Sequence, residues 1–165
     1  MVVREFRAGD GASIARISLE NGAYYARLAP WYFQKPDADG LAEFIEHDAE
    51  WRESPENLVL VAEVDRAVAG YLEASIRAPM ESARWQAQCD LGEWRLFISY
   101  VGTADAYKRM GVASGLVAAA EQWGCSKGAA VAICDTYVDS PLSVPFWEER
   151  MGYSRQAIVF RKPLA

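Results

Sequence analysis

The stretch from Arg95 to Cys134 constrains the fold more than any other part of the chain. Arg95-Leu96-Phe97-Ile98-Ser99-Tyr100-Val101 is rich in aromatic and β-branched residues and reads as a strand. Gly111 to Gly124 reads as an amphipathic helix, with Val112, Leu116, Ala119, Ala120 and Trp123 expected to face a sheet and Gly124 expected as its C-cap. Ala130-Val131-Ala132-Ile133-Cys134 is a continuous apolar run, as expected of a parallel strand covered on both faces. Strand, helix and strand in that order form a β-α-β crossover, which requires a sheet with parallel neighbours.

The rest of the chain fits an α/β arrangement. Val2 to Phe6 reads as a first strand, followed by a helix N-cap at Asp10 or Ser13. Helical segments are expected over Gly11 to Arg27 and Leu41 to Arg52. The runs Leu58–Val64 and Ala67–Ala74 flank the pair Asp65-Arg66, the pattern of a β-hairpin. No internal repeat or linker divides the 165 residues, so a single domain over 1–165 is expected. The loops from Leu28 to Gly40 and from Arg77 to Gly92 are where an acceptor pocket would be sought.

Several function classes recede on composition. No apolar run approaches the roughly 18 residues that span a bilayer, so no membrane partner is expected. A net charge of −6 disfavours a nucleic-acid surface, which needs clustered Lys and Arg. Three cysteines without C-x-x-C spacing suit a reducing cytoplasm and argue against a disulfide framework or a zinc cluster. With His47 as the one histidine, imidazole-based metal sites and Ser-His-Asp chemistry have almost no inventory, and no metal is expected.

Between strand and helix lies Tyr107-Lys108-Arg109-Met110-Gly111-Val112-Ala113-Ser114. Amides at a helix start, reinforced by the helix dipole, form an anion site, and small residues let a phosphate approach. Lys108 and Arg109 oppose that dipole unless an anion is bound, which favours a ligand reading.

The spacing Lys108-x-x-Gly111-x-Ala113 resembles the Q/R-x-x-G-x-G/A motif of the GCN5-related N-acetyltransferases (GNAT family). Ser140 to Tyr153 is similar to the family's last helix, with Ser140 where Asn is usual, Trp147 where Tyr is usual and one extra residue before Gly152. Ile158 to Leu164 matches its closing strand. Together with the first strand and hairpin, the resemblance covers nearly the whole chain. It implies a twisted mixed sheet with helices on both faces and strands 4 and 5 splayed apart. Acetyl-CoA is then the co-substrate and a small-molecule or peptide amine the acceptor, with dimers common in the family. The resemblance carries CoA contacts onto Val101 and Thr103 of the strand, onto the side chains of Lys108 and Arg109, and onto the amides of Arg109, Gly111, Val112, Ala113 and Ser114. Asp105, where Pro is usual, is expected to matter little.

The catalytic groups are less defined. In many relatives a Tyr on the last helix protonates the CoA sulfur, but indole at Trp147 has no such proton to give. Tyr153, Tyr137 and Ser143 are the alternatives, with Glu93 expected as base; Glu73 lies on the neighbouring strand, and Asp135, at a strand end expected to open toward the cleft, is a candidate to hold a cationic substrate. Loss of the Tyr also motivates a different class of function, a non-catalytic acyl-CoA-binding or regulatory module.

Overall fold

The computed structural model describes residues 1–162 and 164, which fall into two compact units, Met1–Cys134 and Asp135–Ala165. The first unit is built on a five-stranded sheet in sequential order: β1 (Val2–Glu5), β2 (Asn57–Val64), β3 (Ala67–Arg77), β4 (Arg95–Thr103) and β5 (Val131–Cys134). β1 to β4 pair antiparallel and β5 pairs parallel to β4, so the sheet is mixed as expected. The β2–β3 turn has Asp65 at φ 50° and Arg66 at φ 67°, the two positive angles of a type I′ hairpin.

Helices cover both faces, and side-chain alternation along β3 shows which residue meets which helix. A Cβ at Gly70 would lie 2.6 Å from Val112 Cγ1 of α4 (Val112–Ser126), whereas the Tyr71 hydroxyl is 2.7 Å from Ser18 Oγ of α1 (Gly11–Leu28) on the other side. On the α4 side, Val112, Leu116, Val117 and Ala120 are buried against the sheet. Gly124 is not the C-cap. The helix continues to Ser126, and Gly124 packs where an added Cβ would lie 3.1 Å from Leu96 Cβ. Ala119 and Trp123 are only half-buried, so Val117 takes a core position that the sequence spacing gave to them.

At the α1 side, Ile14 and Ile17 are fully buried with Val61 and Tyr71. Asp10 occupies the N-cap position, but its carboxylate accepts no helix amide. It accepts from Arg4 Nη1 (2.7 Å), Arg4 Nη2 (2.9 Å) and the Arg7 N–H (2.7 Å), because a buried charge needs a charged partner more than a cap. The expected helix over 41–52 is divided at Asp48 into α2 (Leu41–His47) and α3 (Ala49–Glu53).

In the second unit, Ser140 is buried and its Oγ accepts the Ser143 N–H at 3.1 Å, which gives the residue at the family's Asn position a capping role. The short helix α5 (Ser143–Pro145) leads into a π-helical turn, Phe146–Arg150, closed by the Met151 N–H to the Phe146 carbonyl at 3.0 Å. A π turn accommodates one inserted residue, which is how the extra residue before Gly152 is absorbed. The closing strand is not present: residues 154–162 form no strand, and Val159 and Phe160 are about nine-tenths exposed, since a strand needs a paired neighbour. Pro163 of that segment lies outside the described residues.

Candidate active site

Three parts of the first unit converge on the end of β4. The first is the loop into α4. Gly111 is the N-cap at φ +81°, a left-handed conformation that an L side chain resists, and a Cβ there would meet nothing within 4 Å. The space over the helix start is therefore open. The first bond of the helical ladder runs from the Gly115 N–H to the Gly111 carbonyl at 3.0 Å, so the amides of Gly111, Val112 and Ala113 precede it. Arg109 also has a positive φ of 67°, and Lys108 and Arg109 are both exposed. Asp105 matters more than expected: its Oδ1 lies 2.5 Å from Lys108 Nζ, so the lysine beside the cradle is already paired.

The second part is the outer edge of β4. β4 and β5 pair only from Arg95↔Val131 to Ile98↔Cys134. At the next residue the β3 register shifts from Ala74↔Ile98 to Glu73↔Tyr100, leaving Ser99 as a bulge whose Oγ donates to the Glu73 carbonyl at 3.2 Å. A bulge bends its strand and sharpens the twist, which carries β4 away from β5. From Ser99 to Thr103 the outer edge of β4 then has no strand beside it among the described residues, and Val101 and Thr103 both lie on it.

The third part is a cleft of about 380 Å³ on the α1 face, lined by Asp48 and Trp51 from the α2–α3 region, Glu73, Ser75 and Arg77 from β3, and Phe97 and Ser99 from β4. A cleft of this size fits a small molecule. Burial pushes the Glu73 carboxyl up from its ordinary range, and Asp48 adds to this while Arg52 opposes it. Arg77 lies over the Phe97 ring, its guanidinium carbon 3.5 Å from the centroid. Tyr100 is stacked on Tyr71 at 4.6 Å, and burial raises the pKa of its hydroxyl to about 12.

The cradle and edge residues named from the sequence are thus brought to one end of β4. Glu93 is not: it is exposed, follows a 3₁₀ turn at Cys89–Gly92 and precedes β4, at the strand's opposite end. Of the two loops expected to form a pocket, only Arg77 lines the cleft, while Trp31, Tyr32 and Trp85 are exposed. Asp48, Trp51 and Phe97 were missed, although the alternation Glu73-Ser75-Arg77 is the signal of one strand face. In the second unit, the Tyr153 ring lies 4.9 Å from the ring of buried Trp147, and the Tyr153 N–H donates to the Trp147 carbonyl at 2.8 Å. Tyr137 is half-buried before Ser140, and Ser143 begins α5.

Residues 23–153 match the model of the acetyltransferase (GNAT) family. The chain belongs to the GNAT family. Among solved structures it is similar over its full length to a variant of the BH1408 protein from Bacillus halodurans (TM-score 0.83, 16% identity, 100% of both chains). An aminoglycoside 6′-N-acetyltransferase from Acinetobacter haemolyticus superposes with TM-score 0.65 at 18% identity over 100% of both chains. An aminoglycoside N-acetyltransferase solved with CoA gives TM-score 0.59 at 19% identity, covering 99% of this chain and 100% of that one. At these identities the likeness establishes the GNAT fold. No curated protein sequence matches the chain. No helix among the described residues is long and apolar enough to cross a membrane.

Proposed function

We propose that this GNAT protein transfers an acetyl group from acetyl-CoA to a primary amine by direct attack, with no covalent enzyme intermediate and no metal. One observation supports the reading above the others: the edge of β4 is open from Ser99 to Thr103 and leads directly to the Gly111-capped start of α4. An extended pantetheine would lie along that edge at Val101 and Thr103, and its diphosphate would meet the amides of Gly111 to Ser114 with Lys108 and Arg109 nearby. The amine lone pair attacks the thioester carbonyl, the C–N bond forms, the C–S bond breaks and the departing thiolate takes a proton. Tyr153, Tyr137 and Ser143 are the candidate donors that the family resemblance offers in place of the usual Tyr. Glu73, paired across from Tyr100, is better placed than Glu93 to receive the amine's proton.

Calorimetry with CoA and acetyl-CoA, followed by thiol release against a panel of amines, tests the reading. Saturable binding with amine-dependent thiol release is expected, and folded protein that takes up neither form of CoA refutes it. Trp147 in place of the family's usual Tyr favours one competing reading, a regulatory acyl-CoA-binding module. Its signature would be binding without thiol release.

A further inference from the structure

The charges in the cleft are arranged in two opposed groups. At one end the Glu73 carboxylate makes no ion pair or hydrogen bond among the described residues, and Asp48 lines the same space. At the other, Arg77 lines the cleft, and Arg95, its cross-strand partner, lies on the same face of the sheet outside the cleft lining. Arg95 is only 8% exposed, its Nη2 reaches the Ala78 carbonyl at a long 3.4 Å, and its buried Nε has no acceptor. Neither arginine has a carboxylate partner among the described residues. Glu73 and Asp48 repel one another, and with Arg77 they leave charge of one sign at each end of the cleft without a partner of the other, an arrangement suited to binding opposite charges. A strand rise of about 3.3 Å per residue puts the Cα atoms of Glu73 and Arg77 roughly 13 Å apart, with Ser75 between them.

We propose that this cleft is the acceptor subsite and that it selects a compact amine carrying a carboxylate, the ammonium on Glu73 and Asp48 and the carboxylate on Arg77. The inference rests on the transferase reading above and adds the acceptor's class and direction. Direction follows from register. Glu73 is opposite Tyr100, where β4 has parted from β5, whereas Arg77 is opposite Arg95, where the two strands are still paired. The amine therefore sits at the open end of the sheet, next to the acetyl position, and the carboxylate at the closed end. Trp51 and Phe97 give the intervening methylenes an apolar wall. An ammonium between Glu73 and Asp48 offsets the burial of the Glu73 carboxylate and, secondarily, its repulsion by Asp48. A polycation gains at the acidic end but meets the Arg77 guanidinium at the other.

The test uses the full chain saturated with CoA or acetyl-CoA. Binding and thiol release are measured with 6-aminohexanoate and L-lysine, and with hexylamine, 1,6-diaminohexane and kanamycin as comparators. The amino carboxylates are expected to exceed hexylamine in binding and in kcat/KM by at least about tenfold, as a charge-assisted contact allows. In Arg77→Gln that ratio should narrow toward one, with Arg77→Lys restoring part of it. In Glu73→Gln the affinity for both amino carboxylates should fall about tenfold or more while CoA binding persists. Preference for hexylamine, diamine or kanamycin, a ratio unmoved by Arg77→Gln, or CoA-loaded protein that neither binds nor acetylates the amino carboxylates would each overturn the inference and leave the transferase reading standing. Failure to bind CoA at all would instead remove that underlying reading.

Discussion

Asp10 and Glu73 are both carboxylates set into the α1 side of the first unit, and they are treated in opposite ways. Burial would raise the pKa of Asp10, but the Arg4 guanidinium and the Arg7 N–H outweigh it and hold the carboxyl below its ordinary value. Arg4 also reaches Glu63 Oε1 at 2.5 Å, so a strand, a helix start and a neighbouring strand are tied by one cation. Glu73 has no such partner, and burial with Asp48 raises it. A carboxylate with its counter-ion supplied holds a fold together. One left without it, in a cleft beside an open strand edge, is disposed to receive a cation from outside.

The largest effect that follows is on stability at the paired site. Removing Asp10 leaves the largely buried Arg4 with Glu63 as its one remaining carboxylate, so Asp10→Ala should lower unfolding free energy by about 3 kcal/mol. For a chain of this size that is a fall in Tm of roughly 6–12 °C, read by calorimetry. A Tm within a degree of wild type would remove the distinction between the two sites.

The two carboxyls should also differ in how pH affects stability, and the signs are opposite. A lowered folded-state pKa means that Asp10 stabilises above the unfolded carboxyl range and that this contribution is lost as pH falls through its folded value. A raised one means that Glu73 is best tolerated below that range and becomes a burden as pH rises through its folded value. The charged and titratable groups facing Glu73 are Asp48, Arg52, Tyr71 and Tyr100, with Arg77 on its own strand. Among these, Arg52 offsets it only partly, because its guanidinium lies over Phe6 and donates to the carbonyls of Ile45 and Glu46. Glu73→Gln should therefore raise Tm at pH 7 and change it little at pH 4. A lower Tm for this variant at pH 7 would mean that Glu73 is a structural residue after all.

The smallest effect concerns a third carboxylate, exposed and paired. Asp105 and Lys108 form a surface pair, which contributes under about 1 kcal/mol. Asp105→Ala should leave Tm almost unchanged while tightening CoA by about two- to fivefold, since Lys108 is released toward the cradle. Weaker CoA binding in this variant would show that Asp105 positions the loop.

How much of this was legible in the chain differs from part to part. The loop into α4 could be read because its shape is made by backbone: a glycine at the left-handed N-cap and small residues after it are local requirements, visible in eight consecutive letters. The hairpin and the crossover were legible for the same reason. Gly124 was misread because a glycine near a helix end looks the same whether it terminates the helix or admits Leu96 against its backbone. The closing strand was misread because an alternating apolar segment states a preference and cannot supply its own partner strand. The cleft was read only in fragments, Glu73 as a spare carboxylate and Arg77 as the start of a loop, since Asp48, Glu73, Arg77 and Phe97 come from distant positions and none is unusual in its own neighbourhood.

The sequence by itself determined most strands and helices of the first unit, the hairpin turn and the glycine-capped start of α4, because φ preference, side-chain alternation and helical spacing act over a few residues. Tertiary structure decided which carboxylate acquired a counter-ion and which did not. That outcome depends on the register between β3 and β4, the bulge at Ser99 and the break at Asp48. Electrostatic energy is set by distance through the folded molecule, and those distances do not exist until the strands have paired.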